Sequence, residues 1–422
     1  MNLRKISALF LATLICNGGA IHAEDVLISQ QQRDLQVKRA EVWSTPAWYD
    51  SNLNFVSEKY NLFENLVRTE KEKKISGNRL LCVYDEKLQR AARRSSTGKT
   101  EKIYCYLGEV YKPTDRRDNN QIRPVVDALG KMTEVKVKYQ TYKGSNKEIY
   151  AELAGTRLLS ALGFAADKVF FVPQLYCQNC SETPWNMPEA EPGVVRLFES
   201  NITESKFKGE KIQSESDYGW VPKDLKILLS DEPSIAEIQK KHRDALLLLS
   251  AIIQHVDNKA SNHRLVCTEK PDESGNCPET AQVIALVHDL GATFGDGGMK
   301  LGFISGSSKM NLKGWARTPV WRDPYKCIAN QHSSRTNDET ELFPKISESG
   351  RAHLARLLSE FSKGSEGRLR VEQIFKEAQV HEIETSAKDW ADALMKKISA
   401  VINPPCETDP SQCGKTFNGC SE

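Results

Sequence analysis

The chain has 422 residues, of which 58 are basic and 56 acidic, so its formal net charge at pH 7 is only +2. The basic clusters at 71–74, 90–94 and 116–117 are short, as is typical of solvated faces and loops. This balance shows no electrostatic footprint for nucleic acid, and we expect no nucleic-acid partner. By length the chain has room for two or three domains.

The first 23 residues predict a secretory signal peptide. Arg4 and Lys5 precede the apolar run 6–16, and residues 20–23 supply the small side chains of a cleavage site. We therefore expect an exported protein, periplasmic or secreted after cleavage. A lipid anchor at Cys16 stays open, although Ile15 before it suits lipid attachment poorly. No later segment approaches the ~18 apolar residues of a membrane-spanning helix, so we expect no transmembrane segment.

The rest of the chain divides by pattern into four parts. These are an N-terminal extension (24–77), a small lobe (78–192), a large α-rich lobe (193–402) and a Cys-rich tail (403–422). Strands are predicted at 79–84, 102–107 and 110–112, and the segment 194–198 is predicted to be the last strand before the hinge.

The small lobe contains a strand followed by a helix, each with charged side chains. Residues 134–139 alternate polar and apolar side chains, which places Lys136 and Lys138 on one face of a strand. The next segment predicts a helix over about 147–162, with Glu152 near its buried edge and Glu148 one turn earlier on the same face. The alternative is that these residues are ordinary solvated charges, as most Lys and Glu are.

The large lobe begins with a buried helix that leads into a polar loop. The helix starts at Ser234, and its interior at 245–253 is apolar all round. Asp257 follows it and could accept or orient the proton of an attacking hydroxyl, while Lys259 could steady a transferred phosphate. Asn262 and, after a hairpin, Asp289 offer the oxygen ligands that Mg²⁺ prefers. Taken singly, each of these residues could instead only shape a turn.

These residues together resemble the motifs of the protein-kinase-like superfamily. The catalytic loop His-Arg-Asp-x-x-x-x-Asn is matched by His255, Asp257 and Asn262, and Asp-Phe-Gly is matched by the segment 289–291, Asp-Leu-Gly. The resemblance covers about residues 130–320 and extends to exported bacterial proteins of kinase-like architecture. The relation to secretory-pathway and lipid kinases is distant.

The resemblance implies a bilobal α+β fold with a small antiparallel-sheet lobe and a larger α-rich lobe. It implies that Asp257 is the catalytic base, assisted by Lys259, and that Asn262 and Asp289 bind Mg²⁺ or Mn²⁺. It also implies that ATP is bound through Lys138, which Glu152 holds in place, with Lys136 on the same face of the strand.

Three departures from the superfamily pattern stand out. Val256 replaces the Arg that would bind an activation-loop phosphate, so we expect no regulation by loop phosphorylation. Asp289 follows Asn262 by 27 positions, which is longer than the usual hairpin. No Gly-x-Gly-x-x-Gly loop precedes Lys138, and its absence weakens the evidence for nucleotide binding. Secretory-pathway and lipid kinases also lack the full glycine signature.

The cysteines and histidines could form disulfides, redox motifs or zinc sites. Removal of the leader leaves 10 of the 11 cysteines, and an even number in an exported chain indicates disulfides. Cys82 and Cys105 could join neighbouring strands, Cys267 and Cys277 could clamp the hairpin before Asp289, and the tail cysteines could pin the tail to the body. Cys177 and Cys180 favour a disulfide over a redox or zinc motif. The spacing of His255, His263 and His288 fits no compact zinc site.

Three hypotheses about the function remain. The first is an exported ATP-dependent phosphotransferase, or a nucleotidyl transferase, whose acceptor is a protein, lipid, sugar or small molecule. The alternative is a catalytically inactive kinase-like protein that serves as a binding or scaffold module. A non-kinase structural protein is the third hypothesis.

Overall fold

The structure, a computed structural model, describes most of the chain. The described residues are 27–56, 59–67, 69–95, 100–111, 121–128, 130–140, 146–187, 189–192, 194–205, 210–214, 219–297, 309–332, 342–383 and 385–403. The predicted signal peptide and the Cys-rich tail after residue 403 lie outside these ranges.

The secondary-structure elements are numbered in chain order. The first are β1 (Leu27–Ile28), α1 (Gln30–Arg39), α2 (Leu62–Leu66), α3 (Glu70–Ile75), β2 (Arg79–Tyr84), α4 (Glu86–Ser95), β3 (Lys102–Tyr111), β4 (Gln121–Pro124), β5 (Glu134–Lys138), α5 (Glu148–Ala161), β6 (Lys168–Gln178) and β7 (Val195–Ser205). They are followed by β8 (Glu210–Ser214), α6 (Pro222–Ile227), α7 (Pro233–Ile253), β9 (His263–Cys267), β10 (Val283–Val287), α8 (Leu312–Arg317), β11 (Trp321–Asp323), β12 (Ile328–Ala329), α9 (Glu348–Ser359), α10 (Gly364–Glu377) and α11 (Ala387–Ile402).

A curled sheet and α5 form the smaller part of the fold. The strands pair in the order β2-β6-β7-β5-β3-β4, and β2 also pairs with β3, so five strands close on themselves. All of these pairs are antiparallel except β2 with β6. The strands predicted at 102–107 and 110–112 are one strand, β3. Because β7 pairs with β5 and β6, the sheet extends to Ser205, beyond the predicted boundary at 192/193.

The larger part of the fold is mainly helical. Helix α7 packs against α9, and α10 packs against α11. The rings of Phe294, Trp315, Phe375 and Trp390 lie 5.0–6.3 Å apart between these helices and form an aromatic core. A second sheet, β1-β8-β9-β10, lies beside them and carries the loops after α7 and β10. The predicted α+β class, with one lobe built on a sheet and a larger helical lobe, is confirmed. Within the described residues, no helix is long and apolar enough to span a membrane.

Three disulfides connect cysteines that the sequence pairs. Cys82 on β2 is bonded to Cys105 on β3, Cys177 to Cys180, and Cys267 to Cys277, with Cα–Cα distances of 5.8, 5.6 and 5.5 Å. All six residues are buried. The Cys267–Cys277 bond closes the connection between β9 and β10, as predicted, and this connection leads from Asn262 to Asp289.

Removal of the Cys267–Cys277 bond should lower stability. We expect the double variant Cys267→Ala, Cys277→Ala to lose about 2–3 kcal/mol of unfolding free energy, because opening a loop of this length restores entropy to the unfolded chain. Urea denaturation without reductant measures the loss. An unchanged midpoint and slope would mean that the hairpin is held by β9–β10 pairing alone.

Stability should also fall as the solution becomes acidic. The rings of His242 and His353 pack against the Trp43 ring, with centroids 4.7 and 4.6 Å away. Burial lowers the pKa of His242 to about 3 and that of His353 to about 4, and Lys241 adds repulsion to both. In the unfolded chain both groups take up protons near pH 6.5, which the folded state resists.

We therefore expect the unfolding free energy to decrease from pH 6.5 towards pH 4, by at most about 1.4 kcal/mol per pH unit for each histidine. Above pH 6.5 these two groups contribute no slope. Denaturation curves at several pH values test this, with His353→Phe expected to flatten the slope. Equal slopes in the variant and the natural protein would contradict the assignment.

Candidate active site

The loop after α7 and the loop after β10 lie side by side. Three backbone hydrogen bonds join them: Val256 N to Ala292 O (3.2 Å), Phe294 N to Ile253 O (2.6 Å) and His288 N to Asn262 O (2.9 Å). Helix α7 ends at Gln254, whose left-handed backbone (φ 52°) turns the chain into the first loop. The structure therefore brings the predicted residues 257–262 next to Asp289.

Asp257, Lys259 and Asn262 form one hydrogen-bonded group. Oδ2 of Asp257 accepts from Lys259 Nζ at 2.8 Å and from Asn262 Nδ2 at 3.0 Å. Asn262 Nδ2 also donates to the backbone oxygen of Asp257 at 2.9 Å. The Asp257 side chain is 27% exposed, so water and a substrate can reach it. Because its amide nitrogen donates these bonds, Asn262 has Oδ1 as the atom that can ligate a metal.

Lys138 on β5 contacts two acidic residues, Glu152 and Asp289. Its ammonium donates to the Glu152 carboxylate on α5, and both side chains are almost fully buried. On its other side, Lys138 Nζ lies 3.4 Å from Asp289 Oδ1. The structure thus brings together a strand lysine, a helix glutamate and the aspartate after β10, which come from three separate regions of the chain.

Glu148 and Lys136 lie at the edge of this group. Glu148 Oε2 is 4.0 Å from Lys138 Nζ, and the Glu148 carboxylate accepts a hydrogen bond from Thr100. Between the two glutamates left open by the sequence, Glu152 is thus the direct partner of Lys138. Lys136 is half-buried on β5 and acts on Asp289 through its charge.

Asp289 is held as a carboxylate. Burial would raise its pKa, but the positive charges of Lys138 and Lys136, the interaction with His288 and the Gly291 N–H bond together outweigh burial and hold the pKa well below its usual value. The side chain keeps 30% of its surface exposed. The ionised, accessible carboxylate of Asp289 is suited to bind a cation, and the neighbouring ammonium group of Lys138 is suited to neutralise phosphate charge.

Close packing explains two glycines near Asp289. A Cβ on Gly155 of α5 would lie 3.1 Å from Leu290 Cβ, so α5 can approach the Asp-Leu-Gly segment closely only without a side chain there. A Cβ on Gly291 would lie 3.2 Å from both Asp289 Oδ1 and Glu148 Oε2. Side chains at these glycines would push apart the carboxylates and the helix that surround Lys138.

The sequence did not indicate that Asp167 belongs to this region. Its buried carboxylate binds Nδ1 of His288, and Arg264 contacts Nε2 of the same ring. These contacts hold the residue that precedes Asp289. No local pattern identifies Asp167, because it lies in a short connection between α5 and β6 and meets His288 only in the folded protein.

His255 and His263, near the candidate site, are packed as neutral rings. His263 stacks on Trp220 at 3.9 Å, and His255 meets the edge of His263 at 6.1 Å. Burial lowers the pKa of His255 to about 4, although the carboxylates of Asp257 and Asp289 act in the opposite direction. His255 is therefore uncharged at neutral pH and does not compete with Lys259 for Asp257.

Asn262 and Asp289 offer the oxygen atoms that could bind a metal ion. Among the residues described, no three His, Cys, Asp or Glu side chains are grouped to hold one. Asn262 Oδ1 and the Asp289 carboxylate are oxygen ligands, and a hard cation with one or two protein carboxylates usually completes its shell with phosphate oxygens and water. The residues therefore fit Mg²⁺ or Mn²⁺ that arrives with a nucleotide.

Comparison with known proteins finds only distant likeness. No protein-family profile and no curated protein matches the chain. Similar solved structures include the proinflammatory kinase CtkA of Helicobacter pylori, with 8% identity, a TM-score of 0.30 and coverage of 73% of this chain and 90% of that chain.

A chain from the HipA, HipB and operator DNA complex of a Shewanella oneidensis toxin–antitoxin system has 11% identity and a TM-score of 0.29, over 88% of this chain and 84% of that chain. TM-scores below 0.5 do not establish a shared fold. The function of this site must therefore be argued from its own residues.

Proposed function

We propose that this protein is an exported ATP-dependent phosphotransferase of protein-kinase-like architecture that works with Mg²⁺ or Mn²⁺. The observation that carries the proposal is the position of Lys138, which lies against Glu152 of α5 and 3.4 Å from Asp289. Phosphoryl transfer depends on placing a cation and metal ligands around a polyphosphate, and this group supplies both.

Each residue has a role that follows from its contacts. Lys138, fixed by Glu152, binds phosphate oxygens, with Lys136 adding positive charge at the same edge. Asn262 and Asp289 hold the metal, which supplies Lewis-acid neutralisation of the phosphate charge. Asp257 orients the acceptor hydroxyl and accepts its proton. Lys259, 2.8 Å from Asp257, stays close enough to meet the transferred phosphate.

Export is the second component of the proposal. The predicted signal peptide carries it, and three buried disulfides in the described residues support an oxidising environment.

The proposal is tested with ATP labelled at either end of its phosphate chain. Oxidised, signal-peptide-free protein is incubated with γ-labelled or α-labelled ATP, with Mg²⁺ or Mn²⁺, and with protein, lipid and sugar acceptors. We expect label from the γ position only, and a loss of roughly 10²-fold or more in Asp257→Asn, which keeps the shape but removes the base. The exposed Asp272→Asn, in the turn between β9 and β10, is the matched control.

The other outcomes separate the alternatives. Transfer of the α label would replace phosphoryl transfer by nucleotidyl transfer at the same site. No transfer, together with no thermal stabilisation by any nucleotide and metal, would overturn the proposal in favour of a binding or scaffold module.

A further inference from the structure

The C-terminal end of α5, the helix that carries Glu152, is bound by two tryptophans from the N-terminal region. The last carbonyl groups of a helix have no partner within it. Here the indole N–H of Trp48 donates to Ala161 O at 2.6 Å, and that of Trp43 donates to Leu162 O at 2.7 Å. The helix end is thus held by side chains more than 110 positions away in the sequence.

Backbone contacts hold the same two segments together. Ser44 N donates to Gly163 O at 3.0 Å, and Ala165 N donates to Val42 O at 3.2 Å. Gly163 has a φ of +85°, and a Cβ there would overlap Ser44 O, so a glycine is required at this contact. We call residues 41–48 the strap.

The strap is also attached to the strand that leads to Asp289. Glu41 N donates to Val283 O at 3.0 Å, and Ala285 N donates to Glu41 O at 2.8 Å, which places the strap parallel to β10. Just before the strap, Arg243 of α7 donates to Val37 O and Ala40 O at 2.7 and 2.9 Å. Residues 37–48 therefore contact the three elements that deliver Glu152, Asp289 and Asp257.

The geometry points to a built-in positioning device: the strap holds α5 so that Glu152 stays paired with Lys138, and Trp43 and Trp48 are positioning residues of the reaction. This inference rests on the proposed function and deepens it.

The test removes the indole N–H groups and keeps the rings. Trp43→Phe and Trp48→Phe are made singly and together, and Trp321→Phe is the matched control, because Trp321 Nε1 donates in the same way to Ala400 O at 2.8 Å near the end of α11. Helix α5 remains anchored to α10 by the Arg157–Glu377 pair at 2.9 Å, so we expect the variants to fold. Each single variant should lower kcat/KM for ATP about fivefold, and Trp321→Phe should leave it unchanged.

Coupling to Glu152 decides between positioning and a merely structural role. In a Glu152→Gln background, the double Trp variant should lose less than about twofold in kcat/KM, because the pair it protects is already gone. The KM for the acceptor should stay constant throughout. An equal loss in both backgrounds, or no loss in the natural one, would overturn the inference.

A second measurement keeps the strap separate from the proposed function. Hydrogen exchange should become faster in α5 of the double Trp variant while α11 stays unchanged. In Trp321→Phe, exchange should become faster in α11 while α5 stays unchanged. If the natural protein neither binds nor turns over ATP, the proposed function fails, and the exchange of α5 still decides whether the strap holds this helix. Unchanged exchange in α5 would overturn the inference whatever the activity.

Discussion

Asp289→Asn is expected to lower kcat for phosphoryl transfer by roughly 10²–10³-fold. The amide has the shape of the carboxylate, and its oxygen can still accept the Gly291 N–H bond of 3.0 Å, so the turn is kept. What is lost is the negative charge that faces Lys138 and that would hold the metal. The metal concentration required for half-maximal activity should therefore rise.

Steady-state kinetics over a series of Mg²⁺ and Mn²⁺ concentrations measures both effects. Asp231→Asn is the control, since Asp231 is an exposed aspartate paired with Lys38 far from this group. Normal kcat and normal metal dependence in Asp289→Asn would show that Asp289 has no role in binding the metal.

Lys138→Met is expected to abolish transfer and also to destabilise the protein. Glu152 is fully buried, and removal of Lys138 takes away the ammonium group that its buried carboxylate contacts. Breaking a buried pair in this way costs about 3–5 kcal/mol, whereas replacing both partners by apolar residues of similar volume is often nearly neutral. The double variant Lys138→Met, Glu152→Met should therefore recover most of the stability and none of the activity.

Chemical denaturation of the two variants and the natural protein tests this pattern. Lys73→Met is the matched control, because the Lys73–Glu70 pair on α3 is exposed and its loss should not change the denaturation midpoint. Full activity in Lys138→Met would remove the basis of the proposed site. Equal instability of the single and double variants would show that burial of Glu152 is not the source of the loss.

The sequence predicted which residues belong to the candidate site better than it predicted which of them contact each other. Lys138 on a strand and Glu152 on the following helix were both assigned from periodicity, because a strand of period two and a helix of period 3.6 leave distinct local patterns. Periodicity could not choose between Glu148 and Glu152, which share a face. The choice depends on how closely each glutamate approaches Lys138 on β5: Glu152 is its direct partner, whereas Glu148 Oε2 lies 4.0 Å from Lys138 Nζ.

Residues that act through distant contacts were not found. Asp167, Trp43 and Trp48 lie in connecting segments without a periodic pattern, and each meets its partner across more than 110 positions of chain. Likewise, the turn residues after α7 allowed a prediction of the Asp257–Asn262 loop, but its proximity to Asp289 depends on backbone bonds between two separate loops.

The amino-acid sequence by itself indicated the strand that carries Lys138, the helix that carries Glu152 and a possible bond of Cys267 with Cys277, because these follow from periodicity and short loops. Tertiary structure alone decided which carboxylates surround Lys138 and which segment caps α5. Such contacts depend on how separately formed elements pack against one another, and no local pattern of residues encodes that arrangement.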